Sequence, residues 1–144
     1  MRIAVVVSDF NAEITSGLLE GAVSTLVKGG VGRESIRTVH VPGAYEIPLA
    51  AKKLAEAGRW DAVVALGCVI RGETVHFYRI CQATLDSLQK ISLETGVPIT
   101  SGILMCENWE QARVRSSTGN KHRGIEAAQA ALQMAALLKD GIQA

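Results

Sequence analysis

At 144 residues the chain has the size of one domain, and it is long enough to bury a core without disulfides or structural metal. Fifteen Lys and Arg against 14 Asp and Glu leave a net charge of +1, so bulk electrostatics give no reason to expect nucleic acid or an anionic membrane as a partner. Apolar residues make up 48% and aromatics only 4%, with a mean hydropathy of +0.20. Small aliphatic side chains must therefore supply the burial, and the apolar excess points to self-association.

The first apolar run, Arg2 to Val7, is β-branched and bounded by Ser8-Asp9. It suits a strand buried on both faces and is far shorter than the roughly 20 residues that cross a bilayer, so a cytoplasmic protein is expected. Ala12 to Lys28 follows as a helix, with Ile14, Leu18, Ala22, Thr25 and Leu26 on one face and Gly29-Gly30 as the stop. The Gly17 and Gly21 pair within it reads as a close-packing feature. Ile36 to Val41 is the next strand, ending at Pro42-Gly43. Glu46 to Ala57 is the next helix, with Pro48 tolerated in its first turn.

From Asp61 the run AVVALG continues through Cys68, Val69 and Ile70 as the strongest buried-strand signal. A long helix follows, with Phe77, Cys81, Leu85 and Leu88 at helical spacing, and Gly96-Val97-Pro98 ends it. Ile99 to Met105 is a fourth strand. Glu107 to Arg115 and Ile125 to Lys139 are closing helices joined by the polar link Ser116 to Gly124. Cys68, Cys81 and Cys106 are odd in number and widely spaced, which supports neither a disulfide framework nor a metal site and makes them packing residues.

Strands alternating with helices predict an α/β fold, a three-layer αβα sandwich in which helices cover both faces of a four-stranded parallel sheet through right-handed crossovers; a flavodoxin-like strand order is the expectation set beside it. Ligands bind such sheets beyond the carboxyl ends of the strands. The segments to search are therefore Ser8 to Asn11, Pro42 to Glu46, Gly67 to His76 and the end of the fourth strand.

The most informative of these is Gly67 to His76, GCVIRGETVH. A buried strand running into a glycine turn and a helix start aims backbone N–H groups and the positive helix end at an anion. Thr74 adds a hydroxyl, and His76 in the first helical turn sits where the local field favours the neutral imidazole suited to moving protons. The plain alternative makes Thr74 a cap-region residue and His76 a surface group. Arg113, Arg115, Lys121, His122 and Arg123 form a cationic stretch, either a second anion contact or an ordinary solvated loop. Glu46 can accept bonds from ligand hydroxyls, and Phe10 either covers a flat ring or packs.

Phosphate loops, dinucleotide fingerprints, serine nucleophile elbows and zinc-binding helices are all missing. What survives is proton-transfer or condensation chemistry on a small phosphorylated substrate.

Several motifs carry a family resemblance: DFN at Asp9 to Asn11, LLEGA at Leu18 to Ala22, VPGAYEIP at Val41 to Pro48, LGCVIRGETVHF at Leu66 to Phe77, EQARVR at Glu110 to Arg115, and GIEAAQAALQMA at Gly124 to Ala135. With these the chain, over nearly its whole length, closely resembles lumazine synthase. The resemblance implies one domain over 1–144 that condenses 5-amino-6-(D-ribitylamino)uracil with 3,4-dihydroxy-2-butanone 4-phosphate in riboflavin biosynthesis. It implies no cofactor and no metal, and a riboflavin synthase acting downstream.

By analogy, Phe10 stacks on the pyrimidine beside Asn11, and Ala44, Tyr45 and Glu46 hold the ribityl chain and ring edge. Cys68, Val69 and Ile70 line the pyrimidine, while Gly72, Glu73 and Thr74 match the phosphate turn. Arg115 matches a phosphate-binding arginine reaching in from an adjacent subunit, and His76 matches the proton-transfer residue. Two positions depart from the family pattern. Ser101 stands where an aromatic usually stacks from the neighbour, a loss of about 1 kcal/mol. Arg123 takes the place of a lysine in a rearranged loop. These departures motivate the alternative of a catalytically weak paralogue that binds riboflavin or a ribityl-pyrimidine, or only forms a shell.

The final helix, apolar around most of its circumference, calls for a partner helix. The resemblance implies a homopentamer, in some members assembled into a 60-subunit icosahedral shell. The pentamer is expected on both grounds; because the chain starts directly at its first strand, without the extension that can add to a neighbour's sheet, the shell is left open.

Overall fold

A computed structural model describes residues 1–72, 76–117, 119 and 121–142. The expectations attached to Glu73 and Thr74 lie outside the described residues. Four strands, β1 (Ile3–Ser8), β2 (Ile36–Val41), β3 (Ala62–Ile70) and β4 (Ile99–Cys106), alternate with helices α1 (Ala12–Lys28), α2 (Ile47–Glu56) and α3 (His76–Thr95). Helices α4 (Trp109–Ser116) and α5 (Arg123–Asp140) close the chain. The sheet is all parallel in the order β2-β1-β3-β4, the flavodoxin-like order expected of an α/β sandwich.

The β-branched run Ile3–Val7 occupies an interior strand and is buried throughout, which is why it lacks the alternation of a half-exposed strand. Ile3, Val5 and Val7 point to one face, packing with Leu18 and Leu26 of α1, Ala112 of α4, and Ala127, Ala128, Ala131 and Ala135 of α5. Ala4 and Val6 point to the other, with Ile47 and Ala51 of α2 and Leu88 of α3. Each fully buried leucine or isoleucine contributes about 1.5–3 kcal/mol.

Close approach of α1 to the end of the chain rests on glycine. A Cβ at Gly17 would run into the Ser116 carbonyl, and one at Gly21 into the His122 ring. The close-packing expectation for this pair holds. His122 itself does not belong with the surface cations among which it was grouped. It is buried, its Nδ1 accepts the Ile125 N–H at 3.2 Å as the N-cap of α5, and its Nε2 donates to the Gly17 carbonyl at 3.1 Å. Those two bonds together require the neutral ring with the proton on Nε2.

The α3 register also differs from expectation. Phe77, Cys81, Thr84, Leu88 and Ile91 are its buried residues, whereas Leu85 is 39% exposed. Spacings of four, three, four and three keep a stripe under one face of a long helix, and Leu85 falls beside that stripe. The second helix opens with a 3-10 turn at Ala44–Glu46 before α2 begins at Ile47. Helix α4 starts at Trp109 because Asn108 Oδ1 accepts the Gln111 N–H at 2.9 Å. All three cysteines are buried and unpaired, as packing residues should be. No helix among the described residues is long and apolar enough to cross a membrane.

Candidate active site

In the order β2-β1-β3-β4, chain connections leave β1 and β3 in opposite directions, which opens a crevice between their carboxyl ends. A cleft of about 460 Å³ lies there. Its walls come from three segments far apart in sequence: Phe10 and Asn11 after β1, Gly43–Glu46 after β2, and Cys68–Ile70 with Gly72 at the end of β3. His76, Phe77 and Ile80 of α3 complete it.

The loop after β1 is held from both sides. Asp9 N–H donates to the Val41 carbonyl at 2.8 Å and Phe10 N–H to the Pro42 carbonyl at 3.0 Å, while Asn11 Nδ2 donates to the Cys68 carbonyl at 3.1 Å. Asn11 adopts φ 62°, a left-handed conformation that asparagine tolerates better than most residues and that turns the chain into α1. The outcome for Phe10 is that its ring is 71% exposed and lines the cleft, so it is free to cover a ligand and does not serve the core. Tyr45 is similarly exposed, and the Glu46 carboxylate folds back toward Gly43, within the same cleft.

Cys68 contributes shape and backbone to this site and is no nucleophile. Burial, with a smaller effect from nearby Cys106, pushes its thiol up to about 12, so it stays protonated near neutral pH. His76 stands at the first residue of α3, exposed on the cleft wall at the positive end of a 20-residue helix. Gly43, Phe77 and Ile80 were not singled out as site residues. Ile80 follows His76 by one helical turn, which is the sequence signal that places both on one wall.

Ser101, Arg115 and Arg123 do not join this cleft within one chain. They line a second one, of about 330 Å³, with Leu85 and residues 103–106 beside β4, one of the two outer strands. Arg115 Nη1 reaches Cys106 Sγ at 3.6 Å, and Arg123 Nε pairs with Glu126 at 3.4 Å. Arg113 is engaged with Glu110 at 2.6 Å, which leaves Arg115 and Lys121 as the cations of this stretch that pair with no carboxylate among the described residues. The cationic stretch therefore divides into a buried structural histidine, two ion-paired arginines, and two cations available for other contacts.

A family profile described as 6,7-dimethyl-8-ribityllumazine synthase matches residues 1–139. The chain belongs to the 6,7-dimethyl-8-ribityllumazine synthase family. That family is one of riboflavin biosynthesis, and the match spans every strand and both clefts. In this lumazine synthase family member, the cleft at the β1/β3 crevice gathers Phe10, Asn11, Ala44, Tyr45, Glu46, Cys68, Val69, Ile70, Gly72 and His76. Among the described residues no group of three His, Cys, Asp or Glu side chains is arranged to hold a metal ion.

Proposed function

We propose that the protein is an active transferase that forms 6,7-dimethyl-8-ribityllumazine. Its substrates would be 5-amino-6-(D-ribitylamino)uracil and 3,4-dihydroxy-2-butanone 4-phosphate, and phosphate and water would be released. One observation carries this reading: the β1/β3 crevice collects an exposed aromatic ring, a carboxylate, an apolar floor and a histidine at a helix start, from segments up to 66 residues apart, in a chain of this family.

In this reading Phe10 covers one face of the pyrimidine, while Val69 and Ile70 line its edge. Glu46 accepts from ribityl hydroxyls. The positive end of α3, with Gly72, Glu73 and Thr74 before it, receives the phosphate. The amine of the pyrimidine attacks the ketone carbonyl, and water leaves as the imine forms. Loss of a proton beside the imine then expels phosphate. His76, which lines the cleft at the first residue of α3, carries these protons in this reading. Closure of the second ring through the ribityl-bearing nitrogen releases water again.

Arg115 serves the phosphate from a neighbouring protomer, since in its own chain it lines the other cleft. Ser101 and Arg123 would approach the ligand from the same neighbour. A ring of five subunits that sets the β4-side cleft of one chain against the crevice of the next satisfies this requirement. It also covers part of the apolar surface left on α5 at Met134, Leu137 and Leu138.

Purified protein given both substrates should produce lumazine above the uncatalysed background. His76→Ala should chiefly lower kcat, and Arg115→Ala should chiefly raise KM for the phosphate substrate. The second reading, a weak binding paralogue, is favoured by Ser101 where an aromatic is usual. Tight ribityl-pyrimidine binding without turnover would select it.

A further inference from the structure

Arg71, between the end of β3 and Gly72, is tied at three points. Its backbone N–H donates to the Cys106 carbonyl at 2.8 Å, and its Nη1 donates to Glu107 Oε2 at 3.0 Å. Its guanidinium carbon lies 5.4 Å from the centroid of the Tyr78 ring, in cation–π range. That ring is braced in turn by the edge of Phe77, with centroids 5.1 Å apart and planes at 74°.

These contacts bracket one short segment. Arg71 precedes residues 72–77 and Tyr78 follows them, so the guanidinium over the ring ties the two ends together, while Glu107 roots Arg71 just past the end of β4. Two of the residues enclosed, Gly72 and His76, line the cleft. We propose that Arg71, Glu107 and Tyr78 form a positioning clamp that fixes where Gly72 and His76 stand relative to β4. The clamp would thereby set affinity for the phosphate-bearing substrate without touching it. This rests on the reading of the cleft as the condensation site.

An exposed ion pair of this kind contributes little to global stability, since both side chains are about half exposed, at 47% and 53%. Its effect belongs to geometry, because binding groups displaced by a fraction of an ångström lose much of their action. Arginine suits the task where lysine would not: one planar guanidinium donates to a carboxylate in its plane while offering its face to a ring. Cys106 adds a second tie, holding the Arg71 backbone through its carbonyl and Arg115 through its sulfur.

The test is steady-state kinetics on Arg71→Gln, Glu107→Gln and the double variant, with each substrate varied in turn. Each single change should raise KM for the phosphate-bearing substrate about three- to fivefold. KM for the pyrimidine and the melting temperature should stay near wild type, and the double variant should be no worse than either single. Additive losses, or equal rises in KM for both substrates, would overturn the clamp.

Binding of inorganic phosphate, followed by phosphorus NMR line broadening on the same proteins, separates this proposal from the functional reading. If the wild-type protein forms no lumazine, weaker phosphate binding in both single variants keeps the clamp while the functional reading fails. Wild-type phosphate affinity in both variants of a protein that does turn over overturns the clamp alone.

Discussion

Co-expressing a His76→Ala chain with an Arg115→Ala chain tests the proposed sharing of one centre between neighbouring chains. Within one chain these residues line different cavities, one at the β1/β3 crevice and one beside β4. Suppose each catalytic centre takes His76 from one protomer and Arg115 from the next. Random mixing in equal amounts then leaves both groups intact in about one quarter of centres, because each is independently intact at even odds, whatever the ring size. Were the two groups used in the same chain, every centre would carry one defect and none would be repaired.

The background permits the distinction. Loss of a proton-transfer group costs about 100-fold or more, and loss of a charge-assisted arginine contact to phosphate costs about 2–3 kcal/mol, or 30- to 150-fold at limiting substrate. Mixed oligomers, purified through two different tags and assayed for lumazine absorbance at limiting phosphate substrate, should therefore recover about one quarter of wild-type activity. Activity no higher than that of the better single variant would refute a shared centre.

Other expectations follow from individual residues. Ser101→Phe should restore a stacking face from the neighbour and lower KM for the pyrimidine by about fivefold, worth about 1 kcal/mol; an unchanged value would show that the position does not reach the ring. Gly124→Ala would drive a Cβ into the Leu18 carbonyl and should cost about 1–3 kcal/mol in urea unfolding. His122→Ala, which removes the side-chain cap on the Ile125 N–H and the bond that ties α5 to the Gly17 carbonyl of α1, should cost about 1–2 kcal/mol by the same measurement. Burial, then Cys106, raises the Cys68 thiol from 9.0 to about 12, so the folded state holds this proton more tightly than the unfolded chain. The stabilisation is complete below pH 9 and is lost as pH rises toward 12. The urea midpoint should fall more steeply across that window in wild type than in Cys68→Ala, and parallel slopes would refute the assignment.

Much of this protein was legible before folding because its signals are local. A β-branched run such as Ile3–Val7 without alternation reads as an interior strand, and interior strands of a parallel sheet are buried on both faces. Glycine stops after α1 and α3 and the Pro42-Gly43 turn mark boundaries through backbone sterics alone. Once a parallel sheet is inferred, the general placement of ligands beyond strand carboxyl ends leads to Asn11, Glu46 and Gly72 without any coordinates. Failures came where neighbours decide. Leu85 and Thr84 are adjacent on one helix, and only the position of the helix on the sheet determines that the threonine is buried. His122 carries the composition of a cationic loop, yet glycines at 17 and 21, a hundred residues away, make the space that buries it.

The sequence by itself determined the order of elements, the parallel α/β class and the three segments that wall the principal cleft. Each of these is a function of short-range periodicity, turn chemistry and the rules of sheet connection. Tertiary structure alone decided that Phe10 faces the cleft, that His122 is a buried cap, and that Arg71 is clamped between Glu107 and Tyr78. It also decided that Arg115 lies in a different cavity from His76. Those are relations between distant residues, and the apolar excess noted at the outset says only that surfaces must be covered, whereas packing decides which groups remain to meet a ligand or a neighbour.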